Sequence, residues 1–217
     1  MNKWMILLLL CYGFNAQAQP QLKGGLETFV NNHKIYPRYS LQNCIAGTIN
    51  ISFKLNPNGE VLSSKISKGM GTDLDAEALR LIRLSSGKWI VPAGHDTAVA
   101  VIVPINFSIS SSDCRNRSRQ QIQQAVDNYI ANQGLTNAVL NFYKSKEKGA
   151  IYTKEDEDKI IALKASLGYD EEYLMERLSD GQKKLKQKDK LGACEDFLFI
   201  KHMGSGLADE MLAKYCN

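Results

Sequence analysis

The sequence predicts an α+β fold: a small antiparallel sheet crossed by one helix, followed by an all-helical region. Three observations carry this. Gly47 to Leu55 alternates strictly, with Ile49, Ile51, Phe53 and Leu55 on one side and Thr48, Asn50, Ser52 and Lys54 on the other; period two with one oily face marks a half-buried strand. Ala98 to Ser110 is a second long apolar stretch of the same period. Beyond Cys114 the alternation stops, and apolar residues recur at helical spacing to the C-terminus.

The first strand runs into Asn56-Pro57-Asn58-Gly59, a cluster of turn formers, and a weaker strand follows over Glu60 to Ser67. Lys65 and Lys68 suit a solvated edge. A helix is expected from Thr72 to about Arg83, opened by a capping-box-like Thr72-Asp73-Leu74-Asp75. Leu74, Ala78, Leu81 and Ile82 make its apolar stripe, and Asp73 and Asp75 suit its positive end. Trp89 reads as a core plug at the entry to the third strand.

In that third strand Val99, Val101, Val103, Ile105, Phe107 and Ile109 share one face, and Ala98, Ala100, Ile102, Asn106 and Ser108 the other. Pro104 cannot donate to a ladder, so the strand belongs at an edge with the missing N–H outward. The expected strand order is second, first, third, with the helix crossing one face in the right-handed sense. Upstream, residues 19 to 29 read as a polar lead-in, and a short helix is expected after Pro37.

The remaining segments bound the functional class. The chain has 217 residues and a formal charge of +4, with acids and bases interleaved, so a nucleic-acid footprint is not indicated. Lys3, the apolar run Trp4 to Phe14 and Ala16-Gln17-Ala18 read as a secretory signal peptide over residues 1–18, cleaved after Ala18. The apolar run is about half the roughly 20 residues that a membrane span needs, so no span is expected after cleavage. Lipidation at Cys11 is the minor alternative, since Leu10 replaces the small residue expected there.

Four cysteines then remain: Cys44, Cys114, Cys194 and Cys216. In an exported chain they suit disulfides. If the third strand lies antiparallel beside the first, Cys44 and Cys114 fall at the same end and can be bridged, which leaves Cys194 with Cys216. Four buried thiols are the alternative.

Residues 113–217 are expected to form a small helical domain after a domain spanning 19–112. One helix carries Ile122, Val126, Tyr129 and Ile130 and stops near Gly134; a second carries Leu135, Ala138, Val139 and Phe142. Thr153 caps a third that ends at Gly168, and Asp170 opens a fourth. The C-terminal stretch loosely resembles one tetratricopeptide or Sel1-type hairpin on Gly192-Ala193-Cys194, Gly204 and Ala208. The lysine run from Gln182 to Lys190 reads as a solvated surface, or as an attraction for an acidic partner or anionic polymer.

No catalytic set emerges. His33, His95 and His202 lack metal-ligand spacing. His202, Ser205 and Asp209 fall together as ordinary helix surface, not as a triad. No cofactor is implied, and the chain reads as non-enzymatic.

Tyr36-Pro37, Gly47 before the first strand, Asn58-Gly59 in the turn, Leu74-Asp75 at the helix start, Trp89 with Pro92, and Pro104 with Phe107 form an ordered set over about residues 29 to 110. This set resembles the TonB C-terminal domain. The resemblance implies an αββαβ fold in a Gram-negative periplasm. It also implies binding of an extended segment of an envelope protein, such as an outer-membrane receptor, by pairing with an edge strand. By resemblance that edge is the third strand, Ala98 to Ser110, with Ala98, Val99, Ala100, Val101, Ile102, Val103, Ile105, Asn106, Phe107 and Ser108 as its partner-binding residues. Members that transmit energy keep an N-terminal anchor and a long Pro-rich spacer; here only Pro20 lies between signal and domain. A module that binds without transducing is therefore expected. The alternatives are a full transducer with a retained anchor, or an envelope scaffold or homodimer with no transport role.

Overall fold

The computed structural model describes residues 19–110 and 112–216, so the expected signal peptide and Cys11 lie outside the described residues. The elements run β1 (Gln21–Leu22), α1 (Leu26–His33), α2 (Arg38–Gln42), β2 (Gly47–Leu55), β3 (Val61–Lys68), α3 (Asp73–Leu84), β4 (Trp89–Ile90) and β5 (Val101–Phe107). After a 3-10 turn come α4 (Arg119–Glu147), α5 (Lys154–Ser166), α6 (Glu171–Lys186), α7 (Lys190–His202) and α8 (Asp209–Tyr215). The fold is α+β. Its main sheet is antiparallel with order β3-β2-β5, as the alternation and Pro104 predict.

One face of β2 carries the core. Ile49, Ile51, Phe53 and Leu55 are buried against the α3 stripe of Leu74, Ala78, Leu81 and Ile82. Trp89 is buried beside Phe53, its ring centre 4.9 Å away, and its indole N–H donates to Ser85 Oγ at 2.8 Å. The hairpin turn depends on Gly59, at φ 78°, where an added Cβ would meet the Trp89 carbonyl oxygen at 2.2 Å. The turn glycine thus both bends the hairpin and lets the β4 backbone approach.

Several expectations need correction. The third strand begins at Val101, not Ala98. Asp96 takes the preceding residues into a turn: its carboxylate accepts from the Ala98 N–H at 2.8 Å and its carbonyl from the Val99 N–H at 3.0 Å. Residues 19 to 29 are not a plain lead-in: they hold β1, which pairs with β4, and the start of α1. The capping box at Thr72 does not form. Thr72 makes no side-chain cap bond, and Asp75 instead accepts from the Met70 and Gly71 N–H groups at 2.9 Å each. The two helices expected on either side of Gly134 are one, because α4 continues through that glycine.

Two apolar clusters organise the chain. One contains the sheet, α1, α3 and the start of α4 through Ala125 and Val126. The other contains Val139 of α4 with α6, α7 and the turn into α8. Helix α4 therefore belongs to both. Capping boxes at Ser118 and Thr153 start α4 and α5, and Asp170 caps α6. The cysteines pair as Cys44–Cys114 and Cys194–Cys216.

Candidate functional site

The site is built on the outer rim of β5. The β2–β5 ladder runs from Gly47 opposite Phe107 to Phe53 opposite Val101, with Asn50 opposite Pro104 and no register shift. In an antiparallel ladder alternate residues turn their backbone groups toward the neighbour or away from it. A proline inside an unbroken ladder occupies an away position. Pro104 therefore sets the phase. Val101, Val103, Ile105 and Phe107 turn their backbone groups to β2, and Ile102, Pro104 and Asn106 turn theirs outward.

The Asn106 carbonyl agrees with this phase: it accepts a hydrogen bond from Lys34 Nζ at 3.3 Å, from outside the sheet. The rim thus offers N–H groups at Ile102 and Asn106 and carbonyls at Ile102, Pro104 and Asn106. It lacks a donor in the middle, and Lys34 lies across one end.

Side chains follow the same phase. Ile105 and Phe107 point into the core and are buried, with Val101 and Val103 half-buried. Ile102 is 59% exposed, and Pro104 and Asn106 are also exposed. Of the residues expected along this edge, Ala98, Val99 and Ala100 lie in the turn before β5, and Ser108 follows its end.

Two clefts border the rim. One, of about 430 Å³, lies between α1 and the second half of β5; Leu26, Val30 and Lys34 face Pro104, Ile105 and Asn106 across it. The other, of about 440 Å³, joins Gln19, Pro20 and His95 to Val99, Ala100, Val101 and Ile102. No residue after Ser108 lines either cleft. The C-terminal helices dock elsewhere. Tyr39 of α2 donates from its hydroxyl to the Ala125 carbonyl at 2.7 Å, and Arg83 of α3 forms a two-bond pair with Glu195 of α7 at 2.6 Å.

The floor behind β5 is fixed by Tyr36. Its ring packs edge-on to Phe107 at 5.8 Å, and its hydroxyl donates to the Ile45 carbonyl at 2.6 Å. Burial, and then the charge of Asp73, push its pKa up to about 12, so it stays a neutral donor at ordinary pH.

Lys34 and the α1 side of the cleft went unread in the sequence. Lys34 sits 72 positions from the carbonyl it reaches, and nothing local marks such a pair. As for chemistry, the described residues contain no group of three or more His, Cys, Asp or Glu side chains that could hold a metal. His202 lies 3.7 Å from Glu147, which also pairs with Lys201, rather than in a Ser-His-Asp arrangement. No helix among the described residues is long and apolar enough to cross a membrane.

Residues 32–109 match the family model described as Gram-negative bacterial TonB protein C-terminal. No curated protein and no solved structure matches the chain. Every element from α2 to β5 falls within the matched span, so this part of the chain is similar to the TonB C-terminal domain.

Proposed function

We propose that the protein is an exported, periplasmic, non-enzymatic interaction module that binds an extended segment of an envelope protein by adding it as a fourth strand beside β5. The observation that carries this reading is the rim of Ile102, Pro104 and Asn106, turned outward between two clefts. The similarity of residues 32–109 to the TonB C-terminal domain favours a partner in TonB-type envelope transport, such as an outer-membrane receptor. Backbone bonds give affinity in this mode and clefts give selectivity.

The rim sets the strength. A handful of backbone hydrogen bonds at about 0.5–1.5 kcal/mol net each supplies a few kcal/mol. Binding is therefore micromolar at best unless side chains fill the clefts. Pro104 interrupts the donors, and Lys34 must leave the Asn106 carbonyl before a partner can take it. Leu26 and Val30 offer an apolar wall to a partner side chain.

The phase of the ladder selects the test. Ile102→Pro removes an outward donor and leaves the β2–β5 bonds in place, because Ile102 does not donate to β2. Val101→Pro removes a donor that faces β2 and breaks the sheet itself. In pull-downs from envelope extracts, Ile102→Pro is expected to weaken capture of the partner about 2- to 12-fold, the worth of one hydrogen bond, with an unfolding midpoint close to wild type. Capture unchanged by Ile102→Pro would exclude edge addition and leave the scaffold or homodimer reading.

A further inference from the structure

Three lysines at the turn between α6 and α7 have no acidic partner among the described residues: Lys186, Lys188 and Lys190, all exposed. Their neighbours differ. Lys183 pairs with Asp180 at 2.9 Å and Lys184 with the buried Asp196 at 2.6 Å. Asp189, between Lys188 and Lys190, does not neutralise them at the surface. It is buried, and its carboxylate turns inward to cap α7, accepting from the Gly192 N–H at 2.8 Å.

Lys188 is also out of place conformationally. Helices α4, α5 and α7 all close in one manner. A glycine follows the C-cap in the left-handed region (Gly149, Gly168 and Gly204, φ 91°, 76° and 76°), and the next N–H returns to the carbonyl five residues back. Helix α6 closes with the same bonds, Asp189 N–H to the Lys184 carbonyl at 2.9 Å, but puts Lys188 at φ 64° where the others put glycine. An L-residue is strained there and glycine is not. Completing the helix dipole does not account for this choice, since Lys183, Lys184 and Lys186 already occupy the last turn. The position keeps an ammonium group at the expense of backbone comfort. Leu191, exposed beside Lys190, adds an apolar tip.

We propose that this turn is a docking surface for an anionic phospholipid bilayer. Three unpaired ammonium groups meet the negative headgroups, and Leu191 enters the headgroup boundary. This is separate from the β5 rim and does not depend on it.

The test is co-sedimentation of the mature chain with vesicles of phosphatidylglycerol and phosphatidylcholine, against vesicles of phosphatidylcholine alone. Wild type is expected to bind only the anionic vesicles, and less as salt rises. Lys188→Gly is expected to weaken partitioning about fivefold, the worth of one lysine near such a surface, without lowering the thermal midpoint. Joint replacement of Lys186, Lys188 and Lys190 by Gln should abolish binding. The proposal is overturned by equal binding to neutral vesicles, by unchanged binding of Lys188→Gly, or by a drop in that variant's midpoint. Tighter binding to soluble polyphosphate than to vesicles would also overturn it.

Discussion

Asp73 shows how one carboxylate can serve an element other than its own. It lies in the first turn of α3, where negative charge suits the helix dipole. Its hydrogen bonds, however, go to α2: it accepts from the N–H groups of Tyr39 and Ser40 at 3.1 and 3.3 Å, and from the Ser40 hydroxyl. Helix α2 has Pro37 at its N-cap and no side-chain cap of its own, so Asp73 acts as that cap from outside. Asp73→Ala should lower unfolding stability by about 2–3 kcal/mol, combining a lost cap with lost charge-assisted bonds to buried Ser40. Urea denaturation measures it, and a loss below about 0.5 kcal/mol would show that α2 does not lean on this group. The sequence exposed the acid and its helix terminus. It hid the partner, because Ser40 stands 33 positions upstream and only folding brings the two together.

Among the elements, those with a long one-sided pattern were legible and those held by distant contacts were not. β2, α3 and the edge placement of β5 follow from alternation, a helical stripe and one proline. Helix α1 offered no such sign: Gly25 precedes it without a side-chain cap, and only Phe29 and Val30 are buried. The two-residue β1–β4 pairing is too short to leave a pattern. Helix α4 misleads in the other direction. Gly134 suggested a stop, but its cost of about 1 kcal/mol relative to alanine is outweighed by packing at both ends, on Ala125 and Val126 and on Val139. A Cβ at Gly134 would meet no atom within 4 Å, so Gly134→Ala should raise stability by about 0.5–1 kcal/mol. A measured loss would mean that the helix needs to bend there.

For the whole molecule, a division at residue 112 remains our proposal for its domains, with α4 as the strut common to both apolar clusters. Arg83 strengthens the union: its guanidinium is 7% exposed, bonds Ser64 of β3 at 3.0 Å and clamps Glu195 of α7. Covalent closure adds to this. The Cys44–Cys114 bridge closes 70 residues and Cys194–Cys216 closes 22, worth on the order of 4 and 3 kcal/mol in the chain-entropy view. Export and bridging share one measurement. The intact mass of the mature protein is expected to start at Gln19 and to fall short of the reduced chain by the hydrogens of two disulfides. A mass that retains residues 1–18 would favour the anchored alternative.

The first of those bridges also decides how the rim can yield under traction. Cys44 lies just ahead of β2 and Cys114 just beyond β5, so a covalent tie crosses the ladder at the Gly47–Phe107 end. Peeling from that end is blocked by a bond rather than by hydrogen bonds. A partner hauling on β5 can unzip it only from Val101, against the full length of the ladder toward a fixed knot.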